Sequence, residues 1–166
     1  MIKIRPYTSG DAGTVISWCR DETEFYLWTA GVLGDWPLTA EKFAFVESLI
    51  PFIAYDEGEP FGFFTLRDPG KAPGELRIGF VIVDPKRRGA GLGSGMLRLG
   101  IERAFGCMGA DRVTLGVFES NAAALRCYKA AGFRRAEDEP PEYYSIHGRV
   151  LKCVGLAAEK TRNTGE

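Results

Sequence analysis

Residues that bind metals are scarce in this chain. It has one histidine, His147, and no pair of cysteines in the C-x-x-C arrangement. Zinc sites need clustered histidine and cysteine ligands, so the sequence predicts no metal site. The four cysteines are widely separated, at Cys19, Cys107, Cys127 and Cys153.

Long hydrophobic runs are also missing. Although 45% of the residues are hydrophobic, no apolar stretch approaches the ~20 residues that a membrane-spanning helix needs. The first five residues, Met-Ile-Lys-Ile-Arg, lack the apolar core of a signal peptide. Cysteines without a disulfide spacing pattern suit a reducing compartment. We therefore expect a soluble, cytoplasmic protein with no membrane partner.

The chain lacks an excess of either charge. Its 21 basic and 22 acidic residues give a net charge of -1, and the one dense basic run is Lys86 to Arg88. This balance gives no general attraction to nucleic acid, which we do not expect as a partner. With 166 residues and neither repeats nor a linker, the sequence predicts one domain over residues 1–156 and a flexible tail over residues 157–166.

The most informative segment covers residues 80–95, where an apolar strand leads into a cationic, glycine-rich turn. Gly89, Gly91 and Gly93 permit the tight turn that lets successive peptide N–H groups converge on one oxyanion. A helix starting just afterwards would add its free N–H groups, and the basic run would supply full charges. The pattern predicts a phosphate-binding loop. The alternative is a glycine-rich surface loop whose basic residues serve only the solubility of the protein.

Two common phosphate-binding motifs do not fit this loop. A Walker loop ends in Gly-Lys-Ser/Thr, whereas this loop ends in Gly-Leu-Gly-Ser. A dinucleotide fingerprint needs G-x-G-x-x-G, but the last position is Ser94 when counted from Gly89 and Met96 when counted from Gly91. A nucleotide-binding domain therefore remains only as an alternative, which binding of ATP or NAD would reveal.

Two blocks resemble one family. Arg88-x-x-Gly91-x-Gly93 is similar to the (Arg/Gln)-x-x-Gly-x-(Gly/Ala) signature of the Gcn5-related N-acetyltransferases (GNAT). The block from Asn121 to Phe133 resembles their Asn-x-x-Ala-x-x-x-Tyr-x-x-x-Gly-Phe pattern. The matching blocks occur in the family's order and cover about a third of the chain. The chain is therefore identified as resembling this superfamily.

The resemblance implies an α/β (α+β) fold of the GNAT type. That fold has a mixed, mostly antiparallel sheet of six or seven strands, flanked by about four helices and splayed between its two central parallel strands. Hydrophobic periodicity gives the same order: strand, helix, helix, three strands, helix, strand, helix, two strands. Residues 21–37 mix aromatic and acidic side chains without a pattern and are predicted to be irregular.

The strand before the loop has apolar residues at every even position from Leu76 to Ile82. We expect that face to lie in the core. The other face carries Glu75 and Arg77 and then Gly79, which suits the floor of a cleft or a β-bulge.

The resemblance also implies acetyl-CoA as the acyl donor, used without a metal. Its expected contacts lie in the strand, the loop and the second block. These residues are Val81, Val83, Arg87, Arg88, Gly89, Ala90, Gly91, Leu92, Gly93, Ser94, Asn121, Ala124 and Tyr128. Asn121 can also cap its own helix, and the two roles are compatible.

Acyl transfer to an amine needs an acid and a base. By resemblance, Tyr128 is the acid that protonates the departing thiolate, although it could instead simply pack with Leu125. An alkyl ammonium has a pKa near ~10 and must lose a proton before it can attack. Glu75 is the first candidate for the base, with an ion pair to Arg77 as its alternative role. Glu22 and Glu24 are the next candidates.

The sequence thus predicts an acetyl-CoA-dependent N-acetyltransferase that acts on a primary amine by direct attack in a ternary complex. The acceptor could be a small molecule, a peptide amino terminus or a lysine, and the acidic, aromatic residues 21–37 favour a cationic one. The alternative is a catalytically idle domain of the same fold that binds or senses acyl-CoA. A homodimer is expected only because members of the family are often dimers.

Overall fold

The computed structural model describes residues 1–162. In this part of the chain eight strands form one sheet. They are β1 (Ile2–Pro6), β2 (Ile50–Asp56), β3 (Glu59–Arg67), β4 (Glu75–Val83), β5 (Arg112–Phe118), β6 (Arg134–Arg135), β7 (Glu142–Ile146) and β8 (Arg149–Glu159). The order is β1-β2-β3-β4-β5-β8-β6, and β7 also pairs with β8. Only β4 and β5 pair in parallel, so the predicted mixed, mostly antiparallel sheet is confirmed, with the two-residue β6 as an additional strand.

Five α-helices cover the two faces of the sheet. They are α1 (Ala12–Ser17), α2 (Glu22–Thr29), α3 (Ala40–Phe43), α4 (Leu92–Cys107) and α5 (Ala122–Ala131). Helices α4 and α5 pack on one face, and α1 to α3 pack on the other. Helix α5 ends at Gly132, whose φ of 110° gives the left-handed stop that the sequence predicted.

Strand β3 shows how the sheet separates two hydrophobic cores. Its neighbours Phe63 and Phe64 are both fully buried, yet they belong to different clusters because successive side chains point to opposite faces. Phe64 packs against α4 at Gly100, and Phe63 packs with Phe43 of α3. Burying each phenylalanine contributes ~2–3 kcal/mol, so β3 ties both helical layers to the sheet.

A β-bulge in β4 corrects the predicted alternation of that strand. Between the pairs Phe63–Ile82 and Thr65–Gly79, β3 advances by two residues and β4 by three. The bulge lies at Phe80, whose φ of 51° departs from extended strand geometry. Leu76 and Ile78 therefore face the α4 layer as predicted, but Phe80 and Ile82 face the opposite core. The expected single even-numbered core face was wrong beyond Gly79, because a bulge reverses the alternation.

The segment 21–37 is not irregular throughout, because its first part forms α2. Asp21 caps this helix by accepting a hydrogen bond from the Glu24 amide at 2.8 Å. Phe25 and Tyr26 are adjacent and both buried, so the helix has no narrow apolar stripe that a periodicity search would detect. The sequence prediction failed here because aromatic residues surround the helix on several sides.

The last strand continues beyond the predicted domain boundary. Residues 157–159 belong to β8, where Ala157 and Ala158 are buried and pair with β5. The prediction of a flexible tail from residue 157 was therefore wrong for these residues. Residues 163–166 of that predicted tail lie outside the described part.

Within residues 1–162 no helix combines the length and the apolar character needed to cross a bilayer. The same residues contain no cluster of three or more His, Cys, Asp or Glu side chains arranged to hold a metal ion.

Candidate active site

The two central strands separate at one well-defined point. Strands β4 and β5 pair at three positions, from Glu75–Arg112 to Arg77–Thr114. Beyond that point β4 continues to Val83 and β5 to Phe118, with no further register pair between them among the described residues. Their facing edges are therefore open to a ligand with amide groups, since buried backbone groups need partners. The splay implied by the family resemblance is present.

The glycine loop, defined here as residues 84–95, follows directly from the open end of β4. Asp84 accepts a hydrogen bond from the Lys86 amide at 3.0 Å and so holds a short 3-10 turn. Gly89 and Gly91 have φ values of 84° and 77°, which side chains disfavour, and Gly91 is the N-cap of α4. The first amides of the 16-residue α4 have no carbonyl partner within the helix and so form an anion-binding terminus.

Two arginines of the loop are held by acids from neighbouring elements. The Arg88 guanidinium donates from Nε to the Val83 carbonyl at 3.0 Å and from Nη1 to Glu24 at 3.1 Å. The Arg87 Nη2 lies 3.5 Å from Asp56, the last residue of β2. The guanidiniums therefore already lie at the rim of the loop, in ion pairs that an incoming anion can replace.

Helix α5 brings the second sequence block to the same end of the sheet. A Cβ placed on Gly93 would lie 3.1 Å from Cys127 Sγ and 3.4 Å from Val83, so α4, α5 and β4 meet there without a side chain at residue 93. The Asn121 side chain accepts from the Ala124 amide at 3.2 Å and caps α5. The helix-capping role considered for Asn121 is thus present.

Tyr128 lies on α5, partly buried against the core, with its ring 6.2 Å from that of Phe133. Burial raises the pKa of the Tyr128 phenol well above its usual range, because the charged form loses solvation. The hydroxyl makes no hydrogen bond to the described residues. A phenol in this state keeps its proton at neutral pH and is available as a donor.

These elements bring together all the residues predicted to bind the cofactor. Residues 81 and 83 line the open strand, residues 87–94 form the loop and the helix terminus, and residues 121, 124 and 128 lie on the adjoining α5. Their contacts with coenzyme A stay predictions. The carbonyl of Val83 already accepts one bond from Arg88 and has a second lone pair that a cofactor amide could use.

Glu75 does not lie where a base is needed, which corrects the sequence prediction. Its side chain is 8% exposed and its carboxylate lies 3.3 Å from Arg112 Nε, at the closed end of the β4–β5 pair. Arg112 also binds Asp138 and Glu159. Eight residues of extended strand, about 25 Å, separate Glu75 from Val83. Glu75 is thus a buried ion-pair partner of Arg112 and not the exposed partner of Arg77, and this position does not support the role of base.

The other acids considered as bases are also engaged. Glu24 accepts hydrogen bonds from Arg20 and Arg88, which lower its pKa to about 2. A carboxylate held in this way is a weak base. Glu22 lies 3.2 Å from His147 Nε2, at the tip of the β7–β8 hairpin.

Two tryptophans of the same region are partly buried and pack against the core. Trp28 packs on Phe43 with ring centroids 5.8 Å apart, and Trp36 packs on Phe25 at 5.7 Å. Stacking of these rings on an acceptor is therefore not favoured.

The hairpin of β7 and β8 supplies residues that the sequence did not single out. His147 at its tip has a φ of 48° and packs edge-on against Tyr26 of α2, with ring centroids 4.6 Å apart. The hairpin thus reaches across to α2 on the sheet face that α1 to α3 cover. We call the space between this hairpin, α2 and the open ends of β4 and β5 the acceptor cleft.

Comparison with known proteins assigns the family. Residues 15–133 match the family described as Acetyltransferase (GNAT) family. The chain belongs to this family.

Curated relatives of the GNAT chain include an aminoglycoside N(6')-acetyltransferase type 1 of Serratia marcescens, 30% identical over 130 residues. The match covers 70% of this chain and 62% of that protein, so the chain spans less than two thirds of this relative. A mycothiol acetyltransferase of Salinispora tropica is 44% identical over 66 residues, which are 38% of this chain and 22% of the relative.

Solved structures share the fold at low sequence identity. AAC(6')-Ib in complex with ribostamycin and coenzyme A has a TM-score of 0.75 and 20% identity, and the match covers 99% of this chain and 98% of that one. Spermidine N-acetyltransferase from Vibrio cholerae in complex with CoA and spermine has a TM-score of 0.79 and 15% identity, covering 96% and 95%.

Proposed function

We propose that this GNAT chain transfers an acetyl group from acetyl-CoA to a primary amine, by direct attack of the amine in a ternary complex. The observation that carries the proposal is the separation of β4 and β5 after Arg77 and Thr114, which opens towards the glycine loop. An elongated donor with amides along its arm and phosphates at its end matches an open strand edge that leads to an anion-binding helix terminus.

Each part of the donor site fits the donor's chemistry. The amides at the start of α4 and the guanidiniums of Arg87 and Arg88 suit a pyrophosphate, and the absence of a Cβ at Gly93 keeps the approach to α4 open. When bound, acetyl-CoA supplies an activated acyl thioester. Tyr128 keeps its proton at neutral pH and, in this proposal, donates it to the departing sulfur.

We propose that the acceptor is a small molecule with more than one cationic group. Three acids lie at the elements that bound the acceptor cleft: Glu22 beside His147 at the hairpin tip, Glu139 beside Arg77 of β4, and the exposed Glu142 on β7. Carboxylates at the rim of a cleft attract ammonium groups through the field that they create together. Relatives named for aminoglycosides and spermidine, which carry several amines, support this class.

A panel of amines tests the activity. Polyamines, aminoglycosides, amino acids and short peptides are supplied with acetyl-CoA, and the release of free thiol is measured. We expect thiol release with multiply charged amines and little with neutral or anionic ones. Tight coenzyme A binding by calorimetry without turnover of any amine would favour the idle binding domain instead, and tighter binding of ATP or NAD would refute the donor.

Substitution of Tyr128 tests the acid. We expect Tyr128→Phe to lower kcat by about 10²-fold, the lower range for a general acid, with little change in coenzyme A affinity. Tyr143→Phe is the matched control because Tyr143 is an exposed tyrosine of β7, with 64% of its surface accessible. An unchanged kcat in Tyr128→Phe would remove this residue from the chemistry.

A cytoplasmic location and a homodimer are further proposals, which rest on the sequence and on the family. Cell fractionation tests the location. Sedimentation velocity of the purified chain tests the oligomeric state.

A further inference from the structure

In the floor of the acceptor cleft, Arg77 and Cys153 lie close to a glycine. Gly116 on β5 is exposed and lies just beyond the last pair between β4 and β5. A Cβ at this position would lie 2.9 Å from Arg77 Nη2 and 3.0 Å from Cys153 Sγ. Because residue 116 has no side chain, the guanidinium of β4 and the thiol of β8 can approach β5 closely at this point, next to the separated strands.

Strand β7 places a carboxylate next to Cys153. Phe118 of β5 pairs with Cys153 of β8, which pairs with Glu142 of β7, so the three residues form one row across the sheet. Residues in register share a face, and neighbouring strands are ~4.8 Å apart, which places Glu142 about 10 Å from β5. That spacing leaves room for an amine between the carboxylate and the separated strands.

Tyr144 fixes the orientation of this carboxylate. It lies two residues after Glu142 and therefore on the same face, and its hydroxyl donates to Glu142 Oε2 at 2.9 Å. Its ring packs edge-on against Phe118 with centroids 5.6 Å apart. Burial and the bond to Glu142 raise the pKa of Tyr144 to about 12, so the phenol stays a donor over the working pH range.

Glu142 is also the free acid of the cleft. Within residues 1–162 it has no ion pair, whereas Glu22 is next to His147, and Glu139 lies 3.7 Å from Arg77 and 3.8 Å from Lys71. An acid without a cationic partner is the one able to receive an ammonium group. Exposure to solvent also gives its proton a route to water.

We propose that Glu142 binds the ammonium group of the acceptor and takes the proton that frees its lone pair, and that Tyr144 is the positioning residue for this carboxylate. The inference rests on the proposed function and assigns the base of that same site. Sequence reasoning had placed the base on β4 or α2.

The proton balance of this step closes. Glu142 takes one proton from the ammonium and releases it to water. The amine nitrogen then forms a bond to the acetyl carbon as the carbon–sulfur bond breaks, and Tyr128 protonates the sulfur. The second proton leaves the nitrogen for solvent, from which Tyr128 recovers its own. One proton is released overall for each amide formed.

The test compares Glu142→Gln with the wild type on an amine that the wild type acetylates. We expect kcat/KM to fall by about 10²-fold near neutral pH, as for loss of a general base. The deficit should shrink as the pH approaches the acceptor's own pKa, because free amine no longer needs the base. Glu142→Asp should retain more activity than Glu142→Gln, and coenzyme A affinity should be unchanged in both.

Matched variants separate this role from folding and from general charge. Glu102→Gln removes an exposed acid from α4, on the opposite face of the sheet, and should leave kcat/KM unchanged. Tyr144→Phe should lower kcat/KM less than Glu142→Gln and shift the acidic limb of the pH profile. The groups next to Glu142 are Tyr144 and Cys153, and Arg77 and Glu139 lie near the Cys153 thiol.

Each outcome decides the inference. An unchanged kcat/KM in Glu142→Gln would overturn it while the proposed function stands. A reduced kcat/KM with the wild-type pH dependence would also overturn it, because that result indicates a purely structural effect. Failure of the wild type to bind or acetylate any amine at any pH would overturn both.

Discussion

Replacing Glu24 with glutamine should strengthen coenzyme A binding. The carboxylate of Glu24 holds the Arg88 guanidinium at 3.1 Å, and Arg88 is the first residue of the phosphate-binding signature. A pyrophosphate at the glycine loop must therefore compete with Glu24 for this arginine. It must also approach a carboxylate of the same sign.

The expected gain follows from two small contributions. The side chain of Arg88 is 38% exposed, so its pair with Glu24 is discounted to ~0.2–1 kcal/mol. The Glu24 carboxylate and a pyrophosphate oxygen on opposite sides of the Arg88 guanidinium would be about 7 Å apart, and two such unit charges repel by ~0.6 kcal/mol in water. Together these contributions amount to about 1 kcal/mol, which corresponds to an approximately fivefold lower Kd for coenzyme A.

Isothermal titration calorimetry of the purified chain with coenzyme A measures this change. Glu22→Gln is the matched control, because it removes an acid from the same turn of α2 but from a pair with His147. We expect less than a twofold change in that control, and a Glu24→Gln effect that shrinks with added salt. An unchanged or weaker affinity in Glu24→Gln would refute the competition and show that Glu24 instead holds Arg88 ready for the ligand.

Three further predictions concern stability, measured by thermal unfolding. Arg20 and Arg88 lower the pKa of Glu24 to about 2 from 4.5, so its stabilising contribution is complete above pH 4.5 and is lost as the pH falls towards 2. The Tm difference between wild type and Glu24→Gln should close over that interval, and a constant difference would contradict it. Gly91→Ala should destabilise the fold by ~1–2 kcal/mol, since a left-handed residue gains a Cβ. Gly106→Ala, in open space within α4, should stabilise the fold by ~0.5–1 kcal/mol and so raise the Tm. A lower Tm in Gly106→Ala or a higher Tm in Gly91→Ala would refute the conformational argument.

The geometry of the proposed donor half of the site was predictable because its determinants are local in the chain. The glycine loop needs a strand, residues with positive φ and a helix terminus in direct succession, and all of them lie within residues 80–95. Asn121 and Tyr128 lie on one short helix that packs against the start of α4. Local spacing fixes local geometry, so motifs of this kind place residues correctly without knowledge of the remaining fold.

The failure at Glu75 has a specific physical origin. Alternation along β4 correctly placed Glu75 on the face opposite the α4 layer. It could not show which residue of β5 lies opposite Glu75, nor whether that point is at the paired or the separated end of the two strands. The register puts Glu75 opposite Arg112 at the closed end of the strands, and Arg112 is 37 positions later in the sequence. Whether a charged residue on a strand can act as a base or is engaged in an ion pair depends on the residue opposite it on the adjacent strand. Hydrophobic periodicity does not reveal that residue.

The acceptor half depends on contacts that are distant in the chain, which is why the sequence did not identify it. Glu142 becomes a candidate base only because β8 pairs with β5 on one edge and with β7 on the other. That arrangement aligns Phe118, Cys153 and Glu142. Within the hairpin, the Tyr144 hydroxyl then donates a hydrogen bond that orients the Glu142 carboxylate. The tip of the hairpin contacts α2, so its loop and the helix together set the width of the acceptor cleft. Acceptor choice in this chain should therefore change with substitutions in the β7–β8 hairpin while the donor site remains intact.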